Sequence, residues 1–165
     1  MGRDTVDAIS AAWAHELPGV VGAELALGKR AARLSGMLAA RVDAELARLG
    51  LTKAEYEMLA TLRASGAPYR LRPTDLAARL LLTSGGTSNV LRRLTDSGLV
   101  ERDADPSDAR SSWVRLSKRG IEVAEDAVRA ASTAQAALLR GVPADAVDAA
   151  VDALRRMLVA LGDTP

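Results

Sequence analysis

Between Leu71 and Gly120 the chain reads LRPTDLAARLLLTSGGTSNVLRRLTDSGLVERDADPSDARSSWVRLSKRG, and this stretch limits the fold more than any other. Pro73 suits the first turn of a short helix, because its missing N–H would have no partner there; that helix is predicted to end near Leu80. Leu81-Leu82 separate it from a second short helix. Thr83 is a natural N-cap for the second helix, its oxygen taking a backbone N–H at the start. Leu91 and Leu94, three apart, face inward and anchor it. Gly98 stops it at a position that favours a left-handed residue. Leu99-Val100-Glu101-Arg102 and Ser112-Trp113-Val114-Arg115-Leu116 then alternate as two strands. Asp103 to Ser111 between them reads as a loop tip rich in Asp, Ser and Pro. Two short helices set across one another and followed by an arginine-bearing ribbon predict a winged helix-turn-helix, an arrangement that can grip duplex DNA.

The second helix carries the chemistry. Its first half, Ser84-Gly85-Gly86-Thr87-Ser88-Asn89, has no bulky side chain on any face. Two helical glycines cost about 1 kcal/mol each relative to alanine, so close approach of the backbone to a major-groove wall is a physical reason to keep them. Ser84, Ser88 and Asn89 then project toward base edges, where asparagine pairs bidentately with adenine. Thr83, Gly85 and Thr87 belong to the same surface, and Arg92, one turn further on, is placed for a phosphate. In the ribbon, Arg110 is a candidate for the narrow minor groove, where negative potential concentrates. Asp108 either holds the Arg110 guanidinium extended by a charge-assisted hydrogen bond or forms an ordinary exposed ion pair worth about 0–1 kcal/mol.

The flanks read as helices. Residues about 4–16 form a short one, broken by Leu17-Pro18-Gly19. A longer helix runs from about Val20 to Leu49, with Leu27, Ala31, Leu34, Leu38, Val42, Leu46 and Leu49 on one stripe; Gly50 ends it. Thr52-Lys53-Ala54-Glu55 has capping-box spacing, with Leu51 and Tyr56 at the staple positions, and Ser65-Gly66-Ala67-Pro68 closes that helix. Ser117 caps an alanine-rich helix reaching about Arg140. After Gly141-Val142-Pro143, a last helix places Val147, Val151, Leu154, Leu158 and Leu161 on one face. Six or seven helices and one β-hairpin make the class all-α with a small ribbon.

Composition removes several functions. With no cysteine, disulfides, thiolate nucleophiles and thiol-based redox sensing are excluded, and one histidine, His15, cannot form a metal cluster within one chain. No nucleophile or phosphate loop is present, so no catalytic residue, metal or cofactor is expected and an enzyme is not. No apolar run approaches the roughly 20 residues of a membrane span, and MGRDTVDAIS lacks a secretory signal pattern, so a cytoplasmic protein without membrane partners is expected. Net charge is only +1, but Arg63 to Arg119 holds 11 Lys/Arg against 6 Asp/Glu. A basic middle between acidic flanks focuses attraction for phosphate. The alternative to DNA binding is a winged-helix module that binds protein instead.

From Leu51 to Gly120 the chain resembles the MarR family of bacterial regulators. DPSDAR followed by VRLSKRG matches that family's wing signature, an Asp-x-Arg and a Leu-Ser/Thr-x-x-Gly opening the next helix. The resemblance implies an intertwined homodimer built from N- and C-terminal helices, with one winged helix on each lobe. It also implies transcriptional repression that a small organic ligand often relieves. Residues 1–50 would then supply dimerisation and a ligand cleft, 51–117 the DNA-binding domain and 118–165 further dimerisation helices. Apolar stripes on both flanks agree with such a dimer. Twofold symmetry would place recognition helices about 34 Å apart and half-sites ~10 bp apart on a pseudo-palindromic operator.

The helix before Pro18 is similar to the extra helix of that family's urate-responsive subgroup, which carries a tryptophan into the ligand cleft. Trp13 in ISAAWAHEL matches that residue, and Glu57 stands where the subgroup has an acidic cleft residue. Val90 stands where it has an arginine, which removes the group that would neutralise an anionic purine. The expectation is a neutral or cationic organic effector contacting Trp13 and Glu57, or a Trp13 that simply caps the dimer core.

Overall fold

The structure is a computed structural model that describes residues 2–105 and 108–163, without the side chains of residues 104–105 and 108–111. Among the described residues, seven helices and three strands follow in chain order: α1 Thr5–Glu16, α2 Ala23–Arg48, α3 Lys53–Ala64, β1 Arg70–Leu71, α4 Pro73–Arg79, α5 Ser84–Asp96, β2 Val100–Asp105, β3 Asp108–Leu116, α6 Lys118–Leu139 and α7 Ala144–Ala160. This is the mostly helical class with a small antiparallel wing that the sequence predicts. Among the described residues, no helix is long and apolar enough to cross a membrane.

Local chemistry sets most boundaries. Thr52 accepts from the Glu55 N–H while the Glu55 carboxylate takes the Thr52 N–H, a closed capping box at α3. Asp4 and Asp7 make the same reciprocal arrangement at α1. Gly50 and Gly98 take φ of +71° and +70° just past α2 and α5, the left-handed conformation that costs glycine least. Helix α2 begins at Ala23 behind an extended Gly22 cap, later than the expected start near Val20, because the turn from Leu17 carries through to Val20, whose N–H donates back to the Leu17 carbonyl.

The sheet has the order β1-β3-β2. Strand β1, which the sequence did not announce, pairs Arg70 with Arg115 and Leu71 with Val114. The ribbon is also longer than expected. Asp103, Ala104 and Asp105, read from sequence as loop, continue β2 opposite Trp113, Ser112 and Asp108. Ladder pairing overrides the weak strand preference of Asp and Ala.

One core holds the winged unit together. Met58, Leu59 and Leu62 from α3 meet Leu76 of α4, Leu91 and Leu94 of α5, and Val100 and Val114 of the sheet, all essentially inaccessible. Helix α6 lies along α2 and α3 with Ala124, Ala127 and Ala131 buried at the contact, small side chains that let helix axes approach closely. Its start is fixed by Ser117, whose hydroxyl donates to the Gly98 carbonyl at 2.7 Å and accepts from the Gly120 N–H at 2.9 Å. Helix α7 is different: it is amphipathic yet buries none of its residues. Its Val151, Leu154, Leu158 and the adjoining Leu161 are exposed, as are Leu27, Leu34 and Met37 of α2.

Candidate nucleic-acid interface

Helix α5 is held from below and open above. Leu91 and Leu94 fix its inner face in the core. Thr83 caps it, its hydroxyl oxygen accepting the Gly86 N–H at 3.1 Å. Ser84, Gly85, Ser88, Asn89 and Arg92 are exposed along its outer side, with Thr83. The Arg92 guanidinium reaches Asn89 Oδ1 at 3.5 Å, so the two side chains expected to meet base and phosphate lie side by side. A Cβ added at Gly85 would meet nothing within 4 Å, and no neighbour within the chain demands a glycine there.

Thr87 corrects the sequence reading. It is buried, with its hydroxyl donated to the Thr83 carbonyl at 3.0 Å. Residues 87, 91 and 94 share one stripe at helical spacing, so Thr87 fastens the first turn to the core instead of facing outward. Asp108 and Arg110 fall on β3, but their side chains lie outside the described residues.

The charges around α5 are organised. Arg93 Nε sits 3.0 Å from Oε1 of Glu55, a carboxylate only 9% exposed. The other oxygen, Oε2, takes the Thr52 N–H and hydroxyl at 2.8 and 2.7 Å. On the wing, Arg115 bridges Glu101 and Asp103 at 2.5 and 2.7 Å. Arg63 pairs with Glu125 at 2.8 Å behind the unit. The Arg63 hydrogen bond, with a second from Arg129, holds the Glu125 carboxyl below the usual glutamate range, and the same bond raises Arg63. Sequence reasoning missed the Glu55–Arg93 pair. Its capping box was visible, but nothing local signals a partner 38 positions away in sequence.

A separate cleft of about 650 Å³ opens between α2, α3 and α7. Its walls are mainly Leu, Ala, Val and Met, with Arg30, Asp43, Lys53 and Glu57 as charged groups and Ser35, Tyr56 and Gln135 as neutral polar ones. Glu57, singled out by resemblance alone, lines this cleft. Trp13 does not join it: the indole is 45% exposed on α1 and is not among the lining residues. Val90 is half-buried against the core, away from the lining. Helix α1 is tied to α2 by Arg30, which donates to Asp4 at 2.8 and 3.2 Å and to Asp7 at 2.8 Å, and by Val6, which is buried.

Comparison with known proteins agrees with this geometry. A profile described as MarR family matches residues 49–111. The chain is 34% identical over 113 residues to the HTH-type transcriptional repressor Rv2887 of Mycobacterium tuberculosis, covering 68% of this chain and 79% of that protein. Its fold matches a mutant MarR from E. coli complexed with operator DNA, with a TM-score of 0.71 at 22% identity over 88% of this chain and 97% of that one. It also matches CouR from Rhodococcus jostii RHA1 bound to p-coumaroyl-CoA, with a TM-score of 0.67 at 26% identity over 79% and 90% of the two chains.

Proposed function

The chain belongs to the MarR family, and from that footing we propose that it is a transcriptional repressor that binds a pseudo-palindromic operator as a homodimer. The observation that carries this reading is the outer side of α5, where Ser84, Gly85, Ser88, Asn89 and Arg92 are exposed together while Leu91 and Leu94 lock the opposite side. Small polar groups on a rigid helix admit close approach to a major-groove wall, with Ser88 and Asn89 reading base edges and Arg92 a phosphate. Thr83 holds the first turn in shape. Thr87 acts behind it as a support. Arg110, steadied by Asp108, is assigned the adjacent minor groove.

Dimerisation is assigned to residues 1–50 and 118–165, and DNA binding to 51–117. Support comes from α7, which buries none of its residues and leaves Val151, Leu154 and Leu158 exposed, and from the exposed leucines of α2. Exposed apolar side chains grouped on two helices are what a second copy would cover.

The effector reading follows the extra helix. Helix α1 is similar in sequence to the extra helix of the urate-responsive subgroup, and Glu57, with Asp43, supplies carboxylate to a largely apolar cleft. The ligand assigned to it is a neutral or cationic organic molecule, because Val90 stands where that subgroup has an arginine and the lining balances Arg30 and Lys53 with Asp43 and Glu57. CouR, of the same fold, is bound to an organic ligand.

Fluorescence anisotropy on a random duplex at two salt concentrations tests the core of the proposal. Affinity should fall steeply between about 50 and 200 mM salt, as counterions are released. Footprinting of the purified protein on its own upstream region should then show a symmetric protected site. Absence of salt-dependent binding to any duplex would favour a protein-binding winged helix.

A further inference from the structure

The outer face of the wing carries an arginine–tryptophan stack that the reading above does not use. In β1 and β3 the register sets Arg70 opposite Arg115, and Trp113 stands two residues before Arg115, so alternation puts Arg70, Trp113 and Arg115 on one face. The Arg70 guanidinium lies over the Trp113 ring, 4.7 Å from its centroid, and Arg72 lies 5.0 Å from the same ring. Three arginines thus share one small face around a single indole.

Their electrostatic situations differ. Arg115 is neutralised by Glu101 and Asp103. Arg70 is exposed and, among the described residues, has no carboxylate partner. An indole holds a guanidinium by its face. That contact leaves the in-plane N–H groups, the ones that match the geometry of a phosphate, available to donate. Such a side chain is ordered without being satisfied. Its place in the chain also matters, because Arg70 and Arg72 lead directly into α4, and the first helix of a helix-turn-helix crosses the DNA backbone.

We infer that Arg70, held in place by Trp113, is a phosphate-binding residue that extends the DNA interface from the recognition helix along the outer face of the wing. This rests on the DNA-binding reading given above. The partner is the sugar–phosphate backbone of duplex DNA, so the contact adds affinity and fixes orientation without reading sequence. Trp113 is a positioning residue: it supplies no hydrogen bond to the phosphate and confines the guanidinium that does.

The test uses the full chain and a random-sequence duplex, with affinity measured across a salt series. Arg70→Gln keeps an exposed polar side chain and removes the charge. It should weaken binding by about tenfold at low salt and flatten the dependence of log K on log salt by about 1, the share of a single phosphate. Trp113→Leu keeps the charge and removes the platform. It should lower affinity severalfold with the wild-type slope. A third measurement guards against a folding defect in that variant: in a Trp13→Phe background Trp113 is the sole tryptophan, and its emission should change on adding duplex, a change that Arg70→Gln abolishes. Arg70→Gln with wild-type affinity and slope, while the unaltered chain binds DNA, overturns the inference alone. Failure of the unaltered chain to bind any duplex in a salt-dependent way overturns the DNA-binding reading and this inference with it.

Discussion

Glu55 of α3 and Arg93 of α5 are joined through a nearly buried carboxylate, Nε to Oε1 at 3.0 Å, and the same carboxylate closes the capping box of its own helix. One side chain therefore sets both where α3 begins and where the second half of the recognition helix rests. Glu55→Ala leaves the Thr52 oxygen on the backbone N–H of residue 55 but removes the carboxylate half of the capping box and the ion pair together, and should cost about 1–2 kcal/mol of unfolding free energy. Arg93→Ala leaves the cap intact but strips the carboxylate of its cation. Because both act on one group, the double variant should be less destabilised than the sum of the singles. Urea unfolding of the four proteins checks this, and strictly additive losses would show that the pair carries no coupling.

Gly85 separates stability from binding. Among the described residues, a methyl group there meets nothing within 4 Å beyond its own stretch of helix backbone, and alanine is favoured over glycine in a helix by up to about 1 kcal/mol. Gly85→Ala should raise the thermal midpoint by a few degrees. The same methyl group would stand on the outer side of α5, against the groove wall. Operator affinity should therefore fall while stability rises. A variant that gains stability and keeps wild-type affinity would move the groove contact off this part of the helix.

These two cases also show what was legible in the sequence. Positions where the chain must start or stop a helix carry local chemistry, and Thr52, Pro73, Thr83, Gly98 and Ser117 each mark a boundary that the fold uses. What depends on distant pairing was not legible. Strand β1 is two residues long, too short for any alternation. The extension of β2 through Asp105 runs against local preference and exists because β3 lies opposite. Thr87 was readable after all: it sits four residues before Leu91 and seven before Leu94, on the buried stripe, and only its polarity argued for the outer side. Glu57 carries no local signal for a cleft, and only resemblance pointed to it. The separation of Trp13 from that cleft follows from how α1 docks through Arg30 and Val6, which spacing along one helix does not encode.

Gly120 is required by a close approach. A Cβ at this position would overlap the Leu99 carbonyl oxygen and stand 2.9 Å from its carbon, both backbone atoms that cannot swing aside. Gly120→Ala must push the start of α6 away from β2, disturbing the Ser117 bonds to Gly98 and Gly120. The expected loss is about 1–3 kcal/mol, the usual scale of overpacking, seen as a lower urea midpoint. Gly141→Ala, with no atom near its Cβ, is the matched control and should change stability little.

The Arg63–Glu125 pair predicts part of the acid limb of stability. The Glu125 carboxyl is held below the usual glutamate range chiefly by the Arg63 hydrogen bond, with Arg129 adding a second. A carboxyl with a depressed folded-state pKa binds protons more readily once unfolded. Its contribution is therefore complete above the ordinary glutamate range and is lost as pH falls through the folded value. Glu125→Gln should make the stability–pH curve flatter on its acid side and leave its shape near neutrality unchanged. Thermal midpoints across about pH 2.5–7, a range chosen to bracket the roughly 4.3 of an unperturbed glutamate, measure this. An unaltered acid limb would assign it to other carboxylates, such as Asp4 beside Arg30.

Glu57 and Trp13 give separable predictions for the effector. If the cleft binds a cationic organic ligand through Glu57, then Glu57→Gln should weaken that ligand by about tenfold, the scale of one charge-assisted hydrogen bond, and should affect a neutral ligand much less. The indole of Trp13 lies outside the cleft lining in the isolated chain. A ligand that contacts both residues must therefore draw α1 toward the cleft, or meet a Trp13 supplied by the second copy of the dimer. With Trp113→Phe, the emission of Trp13 should change as ligand is titrated, and operator affinity should fall over the same concentration range, because a ligand that releases DNA must bind the DNA-free form more tightly. Mixed dimers divide the two routes. If one chain carries Trp13→Phe and the other Glu57→Gln, a cleft completed by its own chain leaves both clefts altered. A cleft completed by the partner leaves one cleft intact and the other doubly altered, so half the sites should keep wild-type affinity. Emission that stays constant across a broad panel of neutral and cationic metabolites would instead assign Trp13 to the dimer core.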